Sequence, residues 1–472
     1  MPGGIMQLVA KGQLDTYTTV NPDISFFMYG YKKHTCFSME SIQLLFDTNP
    51  LLNSSSLKNT YNCKISRYGD LLHNLYFCYT LPAIYSADKY RFKWIKNIGT
   101  LLLKKATITV DGSTIDTITG EWLCIWNELI LPVRETYDNI TGNVPEIIDP
   151  RIPKPIIRIT NNKFNKVSYP IAKIGDITPS IPSRAIMIPL DFWFCKNPSL
   201  ALPLLQLQYS EIYLNIEIED SEKLYQVYSP DLELYISPRY FNELYHDDIS
   251  IFTFINNNDL LPYIEANYIY LDLQERNRFL TNTINNILVE QLEITNDQPV
   301  QSNANSSIII NLNIHKITKE LIWTLKRDDY YKFNENTNYT ASMPENNSTE
   351  ILDKASIIWN KTNNRIEEKS ADYFNKIQPY QHHSRIPKKG IYTYSFALEP
   401  EKWFPTGSYN SAVVNTSILL YINGNHNNDA INNKLIKMNK NQYTFGYIAN
   451  VYTKSYNIFS IASGSGGMKY VI

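Results

Sequence analysis

The sequence predicts an all-β protein built from sandwiches of antiparallel sheets. Three observations carry that expectation: apolar residues recur with a period of two, turn-forming residues punctuate the chain at short intervals, and one strand–loop–strand pattern occurs twice. The clearest alternation places Ile212, Leu214, Ile216 and Ile218 on one face and Tyr213, Asn215, Glu217 and Glu219 on the other, as in an antiparallel strand with one wet face. The 24 prolines break the chain into short segments, and the 35 tyrosines suit pleated, half-buried surfaces.

In chain order, Met1 to about Ser25 reads as a Gly-led arm with too little continuous apolar surface to fold alone. Cys63–Arg67 and Leu72–Tyr79 are expected to pair as a hairpin across Tyr68-Gly69-Asp70. A second hairpin follows, where Thr107-Ile108-Thr109-Val110 runs into Asp111-Gly112, a dipeptide suited to the positive φ angles of a two-residue turn. Helical signal is sparse and concentrated at Trp122, Ile125, Trp126 and Leu129, spaced i, i+3, i+4 and i+7, with Thr119 and Glu121 supplying a start. Ile186–Phe194 then reads as a strand, followed by a loop bearing Pro198 and Pro203 and by the Tyr213–Ile218 alternation.

Roughly 200 residues further on the same order recurs: the strand Gly390–Leu398, a loop with Pro400 and Pro405, and the strand Ser417–Ile422. That echo supports a duplicated sandwich divided near Leu271–Phe279, giving an arm over 1–25, a first sandwich over 26–272 and a second over 273–472. Two domains also fit the length of 472 residues, which exceeds the size at which a single core usually keeps growing. Ser221–Leu261, Asn296–Ser307 and Asn334–Ser348 read as long loops.

Composition excludes several functions. With 44 Lys and Arg against 46 Asp and Glu the formal charge is −2, so the chain lacks the cation surplus needed to displace counterions from a genome, and direct nucleic-acid packaging is not expected. No apolar run is long enough for a transmembrane segment, and Lys11, Asp15 and the neighbouring threonines interrupt any secretory-signal pattern. The five cysteines, Cys36, Cys63, Cys78, Cys124 and Cys195, form no CxxC pair and match a reduced compartment. Cys63 and Cys78 flank the expected hairpin turn, and the sequence leaves open whether they pair.

Candidate chemistry fails on spacing. Gly464-Ser465-Gly466-Gly467-Met468-Lys469 lacks the Gly-Lys-Ser/Thr ending that opens a helix in a phosphate loop, so a turned C-terminal tail is expected. His382-His383 has no third metal ligand at a recognisable spacing and reads as exposed loop histidines. Glu211, Glu217 and Glu219 are explained by alternation as a wet strand face, without the two converging acids of a glycosidase. Lys32-Lys33-His34 and Lys104-Lys105 read as solvated surface or subunit contacts. Asn-X-Ser/Thr triplets at Asn139, Asn338, Asn347, Asn360 and Asn415 are the chance product of an Asn-, Ser- and Thr-rich chain. No catalytic residue, cofactor or metal ligand is expected.

The opening residues carry more. Gly3-Gly4-Ile5-Met6-Gln7-Leu8-Val9-Ala10, Asp15-Thr16-Tyr17, Asn21-Pro22-Asp23-Ile24-Ser25-Phe26-Phe27 and Tyr31-Lys32-Lys33-His34-Thr35-Cys36-Phe37 resemble the start of the major capsid proteins of nucleocytoplasmic large DNA viruses of the iridovirus, phycodnavirus and mimivirus type. Further matches keep their order along the chain: Ser66-Arg67 with Gly69-Asp70-Leu71, Leu200-Ala201-Leu202-Pro203-Leu204, Gln274-Glu275-Arg276, Gln378-Pro379-Tyr380-Gln381 and Ser463-Gly464. Met28 and Ser408–Ala412 depart from the family pattern.

The resemblance implies a double jelly roll, two eight-stranded sandwiches in tandem. It further implies a homotrimer of pseudo-hexagonal outline that tiles an icosahedral virion capsid against neighbouring capsomers, with the long loops outward and the arm ordered by the inner face or by minor capsid proteins. Assembly in the host cytoplasm agrees with the cysteine usage. The competing reading is a jelly-roll carbohydrate-binding or host-attachment protein using the loop aromatics Tyr240, Tyr245, Trp403 and Tyr409.

Overall fold

The computed structural model describes residues 2–30, 32–48, 60–86, 90–131, 133–151, 169–247, 249–255, 262–281, 284–300, 307–343, 345, 349–360, 363–423 and 445–470. Met1–Phe37 and Ser38–Ile472 are separate compact units. The first holds two short helices, Gly3–Val9 and Gln13–Thr19, and none of its described residues is buried.

The second unit repeats one eight-strand plan. Its first copy comprises β1 (Phe37–Leu45), β2 (Thr60–Lys64), β3 (Leu71–Leu81), β4 (Leu103–Val110), β5 (Ser113–Thr119), β6 (Arg184–Pro189), β7 (Ile212–Ile218) and β8 (Tyr263–Leu271). These form two antiparallel sheets, ordered β1-β8-β3-β6 and β2-β7-β4-β5. The second copy comprises β9 (Ile284–Val300), β10 (Ser307–Leu312), β11 (Ile317–Arg327), β12 (Leu352–Trp359), β13 (Asn363–Ser370), β14 (Ile391–Ser395), β15 (Thr416–Ile422) and β16 (Tyr447–Ala462). Their sheets run β9-β16-β11-β14 and β10-β15-β12-β13. Adding eight to each label of the first copy gives the second, so the chain is a double jelly roll. The match extends to detail: Leu202–Pro203 pairs with the start of β3 as Tyr409–Asn410 pairs with the start of β11.

Local sequence explains the elements. β7 buries every second residue, with Ile212, Leu214, Ile216 and Ile218 all inside, and so obeys its alternation in full. Asp111 and Gly112 take φ angles of 50° and 78°, closing the β4–β5 hairpin with Val110 opposite Ser113. The two apolar cores follow the repeat. Phe77, Phe92, Trp94, Ile188, Leu214 and Ile264 lie in one, and Leu321, Trp323, Ile357, Tyr392, Leu420 and Val451 in the other.

Several expectations are corrected. Cys63–Arg67 and Leu72–Tyr79 do not pair, because β2 joins β7 in one sheet while β3 joins β8 and β6 in the other. Gly69 instead marks a crossing between sheets, where an added Cβ would stand 2.9 Å from the Tyr268 Cβ and Asp70 N–H donates to the Ile269 carbonyl. Cys63 and Cys78 are accordingly free thiols. The described residues of Ser221–Leu261, 221–247 and 249–255, hold regular elements rather than one long loop, and the remainder lies outside the described residues. The strands Tyr225–Ser229 and Leu234–Ile236 form a small sheet with Phe92–Trp94, and the helix Pro238–Tyr245 is capped by the Ser237 hydroxyl. The charged stretch after Leu271 is the helix Leu273–Thr281. Of the loop expected over Asn296–Ser307, residues 296–300 belong to β9, which runs through to Val300, and 301–306 lie outside the described residues. The strand expected over Ile186–Phe194 stops at Pro189, and Trp193–Cys195 is a 3-10 turn. The described part of Asn334–Ser348, residues 334–343 and 345, is irregular as expected, yet Asn338, Thr340, Ala341, Ser342 and Met343 are buried, so this part is interior and not an outward loop.

Candidate functional site: the seam between the sandwiches

None of the motifs weighed for chemistry assembles into a reactive constellation. Glu211, Glu217 and Glu219 engage three different cations, Lys64 at 2.6 Å, Lys104 at 3.8 Å and Lys223 at 2.8 Å. Gly464 lies in a turn that returns the chain as Ser465–Met468 against Phe459–Ala462, a hairpin rather than a phosphate loop. Lys32, Lys33 and Lys105 are exposed. His382 lies at the surface with Nδ1 on the Leu398 carbonyl at 3.0 Å. The His383 side chain, expected outside, is fully buried between two carboxylates. Among the described residues no group of three His, Cys, Asp or Glu could hold a metal ion, and no helix is long and apolar enough to cross a membrane.

The aromatics weighed for sugar stacking are largely structural. Tyr240 is buried, Tyr245 packs on Phe241 with centroids 4.4 Å apart, and Tyr409 pairs in a short strand and bonds Thr416. Of the four only Trp403 is substantially open, at 43% exposure. Asn139, Asn360 and Asn415 are exposed, Asn338 is buried, and Asn347 lies outside the described residues. Burial raises the Cys63 and Cys78 thiols to about 12 and about 11, which keeps both protonated and unreactive.

What the fold does assemble is a seam between the two sandwiches. The Thr119 hydroxyl accepts from Trp122 N–H at 3.3 Å and starts the helix Gly120–Ile130 at the end of β5. Leu123 and Cys124 of this helix join the first core. Its other side, Trp122, Ile125, Trp126 and Leu129, packs against Ile322, Tyr339, Ile391 and Tyr452 of the second copy. Trp122 stacks on Trp126 and lies against Tyr452, each at 5.5 Å between centroids. The paired ends of β9 and β16 overrun their own sandwich, carrying Val289, Phe459 and Ile461 into the first core, with Phe459 5.6 Å from Trp193.

Charge fills the rest. Glu290 on β9 receives Lys319 on one carboxylate oxygen, and on the other Lys196 at 3.0 Å and Lys454 at 3.5 Å. Lys196 comes from the first copy, the other three from the second. Lys454 also sits 3.5 Å from the Trp126 ring centroid, and the Trp126 and His383 rings meet nearly at right angles with centroids 6.0 Å apart. His383 bridges Glu320 through Nε2 and Glu401, 3.2 Å away, through Nδ1. Glu121 of the helix takes Lys326 of β11 on both oxygens, at 3.1 and 3.2 Å.

Burial drives Lys454 down to about 7 against the attraction of Glu290, with Lys196 and Lys319 adding repulsion. Burial also opposes charge on His383, but Glu320 and Glu401 outweigh it and lift the imidazole to about 9. For Glu290 the burial penalty is overcome by the three ammonium groups, which hold it far below the usual carboxylate range. Sequence reading passes over this cluster. Its one signal is a charged pair, Lys319-Glu320, set directly before the apolar run Leu321-Ile322-Trp323.

The comparisons with known proteins agree with this architecture. The family model of the major capsid protein N-terminus matches residues 25–272, and that of the large eukaryotic DNA virus major capsid protein matches 275–467. The major capsid proteins of Pyramimonas orientalis virus and Phaeocystis pouchetii virus are 29% and 28% identical to the chain, with 100% of each sequence covered. In fold, a chain of the PBCV-1 virus capsid superposes with a TM-score of 0.66 at 22% identity, over 95% of this chain and 100% of that one. The chain belongs to the family of major capsid proteins of large eukaryotic DNA viruses, and its function is structural, as a building block of the icosahedral virion shell.

Proposed function

We propose that three copies close into a homotrimeric capsomer of pseudo-hexagonal outline and that such capsomers tile the shell without catalysis, cofactor or metal. The observation that carries this reading is the repeat itself: two sandwiches of one strand order per chain give three copies six similar wedges. A head-to-tail interface then closes into a ring. Permanent association of this kind buries about 2,000 to 5,000 Å² per interface. The working division is an arm over 1–25, a first jelly roll over 26–272 and a second over 273–472.

The arm is assigned to contacts with neighbouring capsomers or minor capsid proteins, since Ile5, Leu8, Val9, Leu14, Val20 and Ile24 are all exposed in it. Assembly is placed in the host cytoplasm, in keeping with five free thiols. Size exclusion with light scattering tests the reading directly. The expected species has about three times 54.7 kDa and forms flat hexagonal plates in negative stain. A monomer that binds a glycan array would replace it with the attachment reading.

A further inference from the structure

We propose that the buried charge cluster around Glu290 is an orientation lock, which holds the two jelly rolls of one chain at a single fixed angle. Its use in a capsomer of six similar wedges rests on the trimer reading above, while the lock itself rests on the seam. The residues come from both rolls. Lys196 follows the 3-10 turn after β6, and Trp126 lies on the helix after β5. Glu290, Lys319 and Lys454 lie on β9, β11 and β16, three adjacent strands of one sheet. His383 and Glu401 flank β14 and tie to Glu320, next to Lys319.

The four charges at its centre, Glu290, Lys196, Lys319 and Lys454, are paired with one another in this alignment. Glu290 faces three ammonium groups, and Lys319 and Lys454 each donate a further N–H, to the Lys402 and Pro400 carbonyls at 2.9 and 3.4 Å. The side chains of Lys319 and Lys454 are 0% and 4% exposed, so water cannot stand in for a lost partner. A slide or rotation of one roll would separate Lys196 from Glu290 and Lys454 from the Trp126 face, leaving buried charge unpaired. Apolar surface alone makes no such demand, because hydrophobic contact is non-directional and tolerates repacking. Replacing a buried ion cluster by apolar residues is often neutral for stability. What the charges supply is therefore one allowed geometry, in the way a buried polar residue fixes register elsewhere.

The test separates orientation from stability. Spin labels at Ser113 and Lys354, one exposed position on each roll, are introduced in a Cys36→Ser background, and the distance between them is read by pulsed dipolar resonance. With the labelled chain diluted into a large excess of unlabelled chain, so that an oligomer carries at most one labelled copy, the unaltered cluster is expected to give one narrow distance. Glu290→Gln, which strands three cations, is expected to broaden it severalfold. The fourfold replacement Lys196→Met, Glu290→Leu, Lys319→Met, Lys454→Met removes the charges together and carries the measurement should the single variant not fold. It is expected to melt near the parent yet give a broad distribution.

A narrow, unchanged distance in the fourfold variant would show that packing alone sets the angle and would overturn the lock. The readout needs no oligomer, so a parent that stays monomeric would fail the trimer reading without touching this one. If the parent does form hexagonal plates, the fourfold variant should yield trimers of irregular outline.

Discussion

The sheet β9-β16-β11-β14 presents two faces of opposite chemistry, and the contrast separates what holds a sandwich together from what holds two sandwiches in place. On one face Leu321, Trp323, Leu325, Ala449 and Val451 line the second core, with Trp323 5.0 Å from Phe374. On the other, Glu320, Ile322, Thr324, Lys326, Tyr452 and Lys454 meet the seam. Both faces are dry. Burying the first gains free energy in proportion to apolar area whatever the alignment. Burying the second is tolerable only when each charge finds its partner. A shell subunit needs both, since a stable wedge set at a variable angle cannot tile.

The largest effect should come from breaking the apolar face. Trp323→Ala empties a site with no exposed surface and should cost about 3–5 kcal/mol, read from the denaturant midpoint at unchanged slope. A loss below about 1 kcal/mol would mean that the second core does not depend on this side chain.

The seam should answer to pH instead. His383 is raised to about 9 from an ordinary 6.5, so between those values the folded chain holds a proton that the unfolded chain has released, and stability falls as pH rises. Lys454 is lowered to about 7 from 10.5, so from pH 7 upward the unfolded chain holds the extra proton and stability rises. The two slopes oppose each other between pH 7 and 9. Removing one exposes the other: His383→Gln should convert a flat profile into one that climbs from pH 7 to pH 9, by about 1 kcal/mol per pH step. A flat profile in the variant would count against the charge balance assigned to the seam.

The two faces also differ in how far sequence disclosed them. Strands with one wet side announce themselves, as β7 does, and so do turns whose residues must take positive φ, as at Asp111-Gly112. The helix Gly120–Ile130 was legible from its apolar spacing and Thr119 cap, though not that it would join two sandwiches. The Cys63–Tyr79 hairpin misled because adjacency in sequence is a poor guide in a jelly roll, where consecutive strands cross between sheets. The Pro238–Tyr245 helix was missed although Ser237-Pro238 is a sound start signal, because its apolar pair Tyr240 and Phe241 is too short a stripe to register. The charge cluster was invisible for a deeper reason. Lys196, Glu290, Lys319 and Lys454 lie far apart in sequence, and only the fold gives them a common environment.

A smaller effect belongs to the rim of the first sandwich. Gly112→Ala places a side chain where no atom lies within 4 Å, so only the backbone conformation at φ +78° resists it, a cost of about 1–2 kcal/mol. Thermal melting checks this, and an unchanged midpoint would mean that the turn has shifted to a conformation Ala accepts.

The smallest effect is expected where charge is wet. Glu211, Glu217 and Glu219 pair with Lys64, Lys104 and Lys223, and all three cations are at least half exposed. Salt screens such pairs, and water replaces each lost partner. The triple replacement by Gln should therefore leave the denaturation midpoint of the isolated chain within error at physiological ionic strength, the opposite of Glu290→Gln although the chemical change is the same. A measurable loss in the isolated chain would mean that this face is less solvated than its exposure implies. An unchanged chain whose trimer yield nevertheless falls would place the wet face of β7 in a contact between subunits, where the same carboxylates would be buried and the rule that governs the seam would govern them as well.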